Sequence, residues 1–366
     1  MKFRIPVGDA IKAFLLMILV VSTLNLTARV PQMELKTFTA DNQLFQYVGR
    51  IDFSNPARPR FWSPGVYIKA KFKGSVCELL VNDQELWGKN HNYIEIQIDN
   101  NKPFKIQTTG KENRLVVADK LSQGEHIITI CKNTESNIGY LEFIGLRCAA
   151  LLPLPPKPAR KIEFIGNSIT CGASTDLSDI PCGKGVWQDQ HNAYLSYGPT
   201  VARKLYAQWV LSAVSGIGLI HSCCGLPITM PQVFDKIELR GDSLQWDFKR
   251  YQPDVVTICL GQNDGLQDSI KFCGAYVDFI SRLRTFYPSA EFILLSSPMG
   301  DAKLTAMLKN YLAGITRKVK AKGDKKLSTY VYKKQYRNGC DSHPDLAEHK
   351  QIADELGSFI KKKMHW

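Results

Sequence analysis

The chain has 366 residues, a hydrophobic fraction of 44% and a formal net charge of +13. One compact core rarely spans that length, so we expect two domains and a targeting segment. The basic residues are dispersed apart from a small cluster at Lys361–Lys363, and no nucleic-acid-binding motif frames them. We therefore expect no nucleic-acid partner, and a basic surface suited to anionic surroundings such as a cell envelope or an acidic polysaccharide.

The N-terminal segment 1–28 has three basic residues, one acidic residue and an apolar run, Ala13–Val21. That run is short for a membrane-spanning helix, so we predict a secretory signal peptide; the alternative is an uncleaved anchor. Its removal changes the net charge from +13 to +11. We predict a secreted, periplasmic or cell-envelope protein with no stable membrane insertion afterwards.

All 10 cysteines follow this segment. Export permits disulfides, but the spacing defines neither a small-domain framework nor a paired C-x-x-C zinc site, so the pairing is left open. The adjacent Cys223 and Cys224 are compatible with buried thiols or with a bridge. With no metal-ligand spacing in the chain, we expect no metal and no organic cofactor.

Residues 35–150 are dominated by alternating apolar and polar positions separated by Asn, Gly and Asp turns. The predicted strands are Val66–Phe72, Cys77–Val81, Tyr93–Ile98, Phe104–Gln107, Arg114–Val117, Glu125–Ile130 and Tyr140–Leu146. This density of strands predicts an all-β sandwich of the jelly-roll type. The proline-rich stretch 151–160 cannot continue a sheet and is predicted to be a linker.

Residues 161–366 alternate between buried strands and helices, which predicts a three-layer αβα domain with a parallel sheet. The predicted strands are Ile162–Ile165, Val210–Val214, Val255–Leu260, Phe292–Leu295 and Thr329–Tyr332. The predicted helices lie near Tyr194–Gln208, Ser269–Phe286, Leu304–Lys320 and Leu346–Lys361. The less regular interval Leu219–Tyr251 is expected to form loops around a site.

Polar residues follow the first three of these strands. Ser168, in GNSIT, ends the first strand, where open α/β sheets hold their chemistry. Gly216, in SGIG, follows the second, and Asn263, in GQND, follows the third, with Asp264 suited to cap the next helix. Each alone is compatible with an ordinary turn or cap. Together they offer a nucleophile, a close-approaching backbone N–H and an amide donor for an oxyanion.

A candidate catalytic histidine lies near the C-terminus, in GCDSHP, just before the last predicted helix. Pro344 suits the first turn of that helix and would hold His343 at its entry. The imidazole is suited to accept the Ser168 proton, and Asp341 to orient the imidazole. A lone histidine here is often only a cap, but the combination with serine, glycine and asparagine indicates acyl transfer.

These residues resemble the SGNH (GDSL-type) hydrolase superfamily, and the two-domain layout resembles carbohydrate esterase family 2, in which a jelly roll precedes the SGNH domain. The stretches that carry the resemblance are GRIDF at Gly49, RFWSPGVYIKAKFKG at Arg60, NAYLSYGPTVARKL at Asn192, TMPQVFDK at Thr229, WDFKRYQPDVV at Trp246 and GCDSHP at Gly339. The resemblance implies Ser168 as nucleophile, His343 as base, and an oxyanion hole made by Ser168, Gly216 and Asn263. It also implies an acetyl ester on xylan or a mannan-type hemicellulose as substrate.

Two features of the sequence bear on which residues are catalytic. The literal string GDSL contains Ser243, which we reject as nucleophile because it follows KIELR instead of an apolar strand. Asp341 precedes His343 by two residues, as in family 2, whereas the broader superfamily uses three. A Ser-His dyad with the imidazole oriented by a backbone carbonyl is therefore an open alternative.

Two aromatic residues are candidates for substrate contacts, and two rival functions stay open. Trp187 and Tyr194 are candidates for stacking on sugar rings, or else for core packing. A lipid or thioester hydrolase of the same superfamily is the nearer rival, and a non-catalytic carbohydrate-binding envelope protein is the rival outside enzymes. No G-x-S-x-G elbow is present, which argues against an α/β-hydrolase lipase. The oligomeric state is left open.

Overall fold

The computed structural model describes Met1, residues 34–241 and residues 244–366. The predicted signal peptide, apart from Met1, and Ser243 lie outside the described residues. Within the described part of the chain, no helix is both long and apolar enough to cross a membrane.

Antiparallel strands build the first half of the chain. They are β1 (Lys36–Thr39), β2 (Gln46–Val48), β3 (Arg60–Phe61), β4 (Tyr67–Asp83), β5 (Tyr93–Ile98), β6 (Phe104–Gln107), β7 (Glu112–Ala118), β8 (Glu125–Lys132) and β9 (Leu141–Leu152). The order is β1-β9-β4-β8-β5-β6, with β2 and β7 paired to β4 and β3 paired to β9. This antiparallel sandwich confirms the predicted fold class of the first half.

The longest strand, β4, replaces two predicted strands. Its residues 67–73 pair with β8 and its residues 77–82 pair with β7, and the β9 register shifts between Lys73 and Cys77. The bend lies at Gly74, which has φ of 107°. Sequence alternation is interrupted there, so a continuous strand with an irregularity looks like two strands.

The second half is a parallel sheet with helices. Its strands are β10 (Arg160–Gly166), β11 (Ala207–Ala213), β12 (Val255–Ile258), β13 (Glu291–Leu295) and β14 (Leu327–Tyr330), in the order β11-β10-β12-β13-β14. The helices are α1 (Ser168–Cys171), α2 (Tyr197–Lys204), α3 (Met230–Val233), α4 (Ser269–Phe286), α5 (Ala302–Ala321) and α6 (Leu346–Met364). The predicted α/β fold is confirmed. Residues 153–159 connect the two halves without strand or helix.

Strand alternation explains the layers around the parallel sheet. In β10, Phe164 points into a cluster with α2 and α6, whereas Ile165 points into the cluster formed with α4 and α5. Successive strand residues face opposite sides, so one buried strand serves both apolar layers.

Arg50 fixes the sandwich to the parallel sheet. Its fully buried guanidinium donates to Glu163 Oε1 at 3.1 Å, to Ser212 Oγ at 3.1 Å and to the carbonyl of Phe234. Nearby, the Tyr67 and Trp209 rings stack with centroids 4.0 Å apart. A buried arginine is stable only when its charge and donors are satisfied, so Arg50 requires both halves in this arrangement.

Candidate active site

The strand order places three loops at one edge of the parallel sheet. Because β10 lies between β11 and β12, the segments that follow these strands meet at their carboxyl ends. Ser168 follows β10, Gly216 follows β11 and Asn263 follows β12. In open α/β sheets this is the edge at which ligands bind.

Ser168 is the first residue of the short helix α1. Asn167 caps the helix, and its side chain accepts a hydrogen bond from the Ile169 N–H at 3.2 Å. The preceding Gly166 has no room for a side chain, since a Cβ there would lie 2.0 Å from Thr170 Oγ1. The sharp turn keeps Ser168 8% exposed at the end of the strand.

The Ser168 hydroxyl lies next to His343. Its Oγ is 2.8 Å from His343 Nε2, while Nδ1 of the same ring is 3.3 Å from the carbonyl oxygen of Cys340. When Nδ1 carries the proton and donates it to that carbonyl, Nε2 is free to accept the serine proton. The pair therefore has the geometry of a nucleophile with its general base.

Asp341 is not brought to the imidazole as the sequence suggested. It is exposed, its backbone has φ of 50°, and among the described residues its carboxylate makes no hydrogen bond to His343. The Cys340 carbonyl occupies the orienting position. The geometry thus favours the backbone-oriented dyad over a Ser-His-Asp triad.

The helix entry also differs from the expectation. Asp345 is the N-cap of α6 and accepts from the Glu348 N–H at 2.8 Å, so Pro344 precedes the cap and is not in the first turn. His343 is held instead by its own tight turn, in which its N–H donates to the Cys340 carbonyl at 2.9 Å.

The environment of His343 predicts the pH dependence of activity. Burial lowers the pKa of His343 from its usual 6.5, against the opposing effects of the Cys340 carbonyl and of Asp341. A base must be neutral, so activity is lost as pH falls through this lowered pKa. We therefore expect the acidic limb of kcat/KM on a small acetyl ester to be centred below about pH 6.5, the usual histidine value. A decline centred above that pH would contradict the assignment of His343 as base.

Gly216 and Asn263 belong to one connected loop system. Gly216 has φ of 81°, a conformation that favours glycine. The Asn263 side chain donates from Nδ2 to the Ile217 carbonyl at 2.8 Å, which leaves its second N–H free of protein partners among the described residues. Because β10 lies between β11 and β12, the Gly216 and Asn263 loops lie on either side of the serine turn. The Val214 N–H donates to the Gly166 carbonyl and joins the Gly216 loop to that turn.

Asp264 has a different role from the predicted helix cap. Its carboxylate accepts from the N–H groups of Leu219, Ile220 and His221 at 2.7 to 3.1 Å, whereas the cap of α4 is Asp268. Asp264 therefore orders the chain that leaves the Gly216 turn.

Glu135, from the β-sandwich, was not identified from the sequence. It is fully buried, and its carboxylate accepts from the Ser215 N–H at 2.7 Å and from the Ser215 hydroxyl at 2.5 Å. Burial raises the pKa of Glu135, and the two Ser215 hydrogen bonds oppose this effect. The sandwich thus holds the residue before Gly216. The surrounding sequence, KNTES, reads as an ordinary turn and carries no signal of this contact.

The two aromatic candidates have different surroundings. Trp187 is 39% exposed, and its ring meets His191 edge-on with centroids 4.1 Å apart. Burial and, to a lesser extent, nearby His343 lower the pKa of His191 to about 3. Tyr194 is 2% exposed and donates its hydroxyl to Gln97. Tyr194 is therefore part of the packing between the halves and offers no surface to a sugar.

A disulfide joins the Trp187 loop to the histidine loop. Cys182 is bonded to Cys340, whose carbonyl faces His343. Cys223 and Cys224 are bonded to each other, and the Cys223 N–H donates to the Gly216 carbonyl at 2.9 Å. Both bridges therefore lie next to candidate catalytic loops. The described residues contain no group of three or more His, Cys, Asp or Glu side chains able to hold a metal ion.

Both halves of the chain match known families. Residues 47–158 match the family described as Carbohydrate esterase 2 N-terminal, and residues 164–331 match the GDSL-like Lipase/Acylhydrolase family. The chain is 32% identical over 343 residues to the cellulase/esterase CelE of Acetivibrio thermocellus, an alignment that covers 89% of this chain and 40% of that protein. It is 27% identical to an acetylxylan esterase / glucomannan deacetylase of Cellvibrio japonicus, over 90% of this chain and 92% of that protein.

Solved structures give the same result. A family two carbohydrate esterase from Clostridium thermocellum in complex with cellohexaose is 29% identical with a TM-score of 0.80, covering 88% of this chain and 99% of that one. A family two carbohydrate esterase from Cellvibrio japonicus is 25% identical with a TM-score of 0.83, covering 92% of this chain and 99% of that one. The similarity therefore extends over both the sandwich and the parallel sheet.

Proposed function

We propose that this chain, a carboxylic ester hydrolase of the SGNH (GDSL) type that resembles the family 2 carbohydrate esterases in both halves, removes O-acetyl groups from a polysaccharide. The observation that carries the proposal is the 2.8 Å contact between Ser168 Oγ and His343 Nε2 at the carboxyl end of β10. The names of the similar proteins support an acetylated xylan or glucomannan as the substrate.

The first chemical step is acylation of Ser168. Its Oγ attacks the acetyl carbonyl carbon while His343 Nε2 takes the hydroxyl proton, and a tetrahedral oxyanion forms. The imidazolium then returns that proton to the sugar oxygen as the ester bond breaks. Water, activated by the same imidazole, hydrolyses the acetyl-serine and releases acetate. The Cys340 carbonyl, which accepts from Nδ1, orients the ring and stabilises its charged form throughout.

Asn263→Ala should lower kcat by a factor on the order of 10² to 10³, because the amide supplies one of the oxyanion donors beside the Ser168 and Gly216 N–H groups. KM should change little, since the interaction strengthens only as charge develops. The free Asn263 N–H is the basis of this expectation. Steady-state kinetics on a small acetyl ester measure it, and Gln267→Ala, in the same loop, is the matched amide control.

An unchanged kcat in Asn263→Ala would contradict the assignment of Asn263 as an oxyanion-hole donor. Because the Asn263 side chain also donates to the Ile217 carbonyl, a KM change with little kcat change would indicate a purely structural contribution.

The substrate class is tested by acetate release. Purified protein is incubated with acetylated xylan, acetylated glucomannan and a medium-chain acyl ester, with Ser168→Ala protein as the blank. We expect release from the acetylated glycans. Hydrolysis of the longer acyl ester alone would support the lipid-directed rival, and no hydrolysis of any substrate would support the non-catalytic binding protein.

Export remains part of the proposal. A polysaccharide substrate lies outside the cytoplasm, and the Cys182–Cys340 bridge requires an oxidising compartment to persist. The predicted signal peptide 1–28 is consistent with both.

A further inference from the structure

A cavity lies where the sandwich meets the parallel sheet, apart from the candidate active site. Its volume is about 200 Å³, and it opens to solvent. It is lined by Gln46, Val48, Tyr67, Lys69, Lys157, Pro158, Arg203, Tyr206, Ala207 and Trp209. Strands from both halves contribute, so the cavity exists only in the assembled chain.

This cavity is remote from the candidate active site. Ala207 begins β11 and pairs with Arg160 at the start of β10, whereas Ser168 follows the opposite end of β10. Seven strand residues separate the two ends, which corresponds to about 20 Å at the rise of a parallel strand. A ligand in the cavity therefore does not occupy the serine site.

Three cationic side chains line the cavity without an acidic partner. Lys69, Lys157 and Arg203 form no ion pair among the described residues, and the lining contains neither Asp nor Glu. Burial lowers the pKa of Lys69, and the nearby Arg203 lowers it further. Like charges that share a partly buried cavity repel one another, and an anion between them relieves that cost.

The donors in this cavity are only partly used. The Lys157 ammonium donates to the Tyr47 carbonyl at 2.7 Å, and Arg203 donates to the Tyr194 carbonyl and to Thr200 Oγ1. Lys69 makes no hydrogen bond or ion pair with the described residues. Lys69 therefore has three N–H donors available to an anionic ligand.

Aromatic rings supply the apolar part of the cavity. Tyr67 and Trp209 are stacked and almost fully buried, so they form its floor. Tyr206 is 72% exposed and has φ of 52°, an uncommon backbone conformation for an aromatic residue. An exposed ring held in this way presents a flat apolar face beside the cationic groups.

We propose that this cavity binds a carboxylated sugar unit, with the carboxylate between Lys69, Lys157 and Arg203 and the sugar ring against Tyr206. The choice of a sugar rests on the proposed function, whereas the preference for an anion follows from the lining alone. The site would hold an acidic polysaccharide at a distance from the serine that acts on its acetyl groups.

Binding of D-glucuronate to the full chain carrying Ser168→Ala tests the proposal, with D-glucose and inorganic phosphate as comparison probes. We expect glucuronate to bind more tightly than either, and its affinity to fall with added salt. Lys69→Gln and the more exposed Lys157→Gln should each weaken glucuronate binding about tenfold, since each removes a charge-assisted hydrogen bond. Tyr206→Ala should weaken glucuronate binding but leave phosphate binding unchanged.

Lys73→Gln is the matched control, because Lys73 lies on the same strand as Lys69, is exposed and is absent from the cavity lining. Equal loss in Lys73→Gln would show a general charge effect and overturn the site. Glucuronate affinity no greater than that of glucose would also overturn it, and phosphate binding as tight as glucuronate binding would overturn the sugar assignment. The binding test uses Ser168→Ala protein, which keeps the cavity but lacks the nucleophile, so its result does not depend on esterase activity. Failure of the esterase proposal would be seen separately, as no acetate release by the wild-type protein.

Discussion

Ser168→Ala should lower kcat on an acetyl ester by about 10⁶-fold, the cost expected when a serine nucleophile is removed. The residual rate should be the one that the oxyanion donors and substrate binding sustain without the serine nucleophile. Ser168 is largely buried at the first position of α1, and alanine fits that position without a new cavity of consequence. We therefore expect the fold to be retained, with thermal unfolding close to that of the wild type.

The matched control for this variant is Ser243→Ala, in the literal GDSL string. Both substitutions remove one serine hydroxyl. Ser168 Oγ lies 2.8 Å from His343 Nε2, whereas Ser243 follows KIELR in the sequence and not an apolar strand. Ser243→Ala should keep the wild-type rate. Retained activity in Ser168→Ala, or an equal loss in Ser243→Ala, would contradict the assignment of the nucleophile.

The fold class and the grouping of the candidate site residues could be predicted because they follow from rules about strand ends. Parallel strands put their carboxyl ends at the same edge, so buried runs followed by Ser168, Gly216 and Asn263 predict one cluster without any knowledge of distances. His343 was found by its position before the last helix. The structure brings its Nε2 to Ser168 Oγ.

Other features depend on contacts between residues far apart in the chain. Glu135 lies 80 positions before Ser215, and nothing near Glu135 in the sequence indicates that its carboxylate holds the Gly216 loop. From the sequence, Tyr194 is a candidate for stacking on a sugar ring, yet the packing of the sandwich against it leaves it buried. Composition reveals that a ring is available but not which surface covers it.

Arg50 lies in a motif that the sequence singles out, but its role is visible only in the structure. It lies in GRIDF, one of the stretches that carry the family resemblance, but nothing in the sequence explains why this position is an arginine. The structure shows that its guanidinium joins Glu163 on β10 to the carbonyls of Phe234 and Lys236. The motif is thus explained by the docking of the sandwich, which in turn positions Glu135.

His343→Ala should cost nearly as much as Ser168→Ala, about 10⁶-fold in kcat, because base and nucleophile act as one unit. Asp341→Ala should cost less than about tenfold. In a working triad, removal of the acid costs about 3 × 10⁴-fold. Here, however, the Cys340 carbonyl faces Nδ1 and the Asp341 carboxylate makes no bond to the ring among the described residues.

The expected loss of kcat in Asp341→Ala differs between a dyad and a triad by several orders of magnitude, and steady-state kinetics resolve such a difference easily. Asp341 still favours the imidazolium through its charge, so Asp341→Asn should lower the pKa of His343 and move the acidic limb of the kcat/KM profile to lower pH. A loss near 10⁴-fold in Asp341→Ala would mean that the aspartate turns to the ring when substrate binds, and the dyad would then be wrong. A small loss with a shifted acidic limb leaves the backbone carbonyl as the group that orients the base.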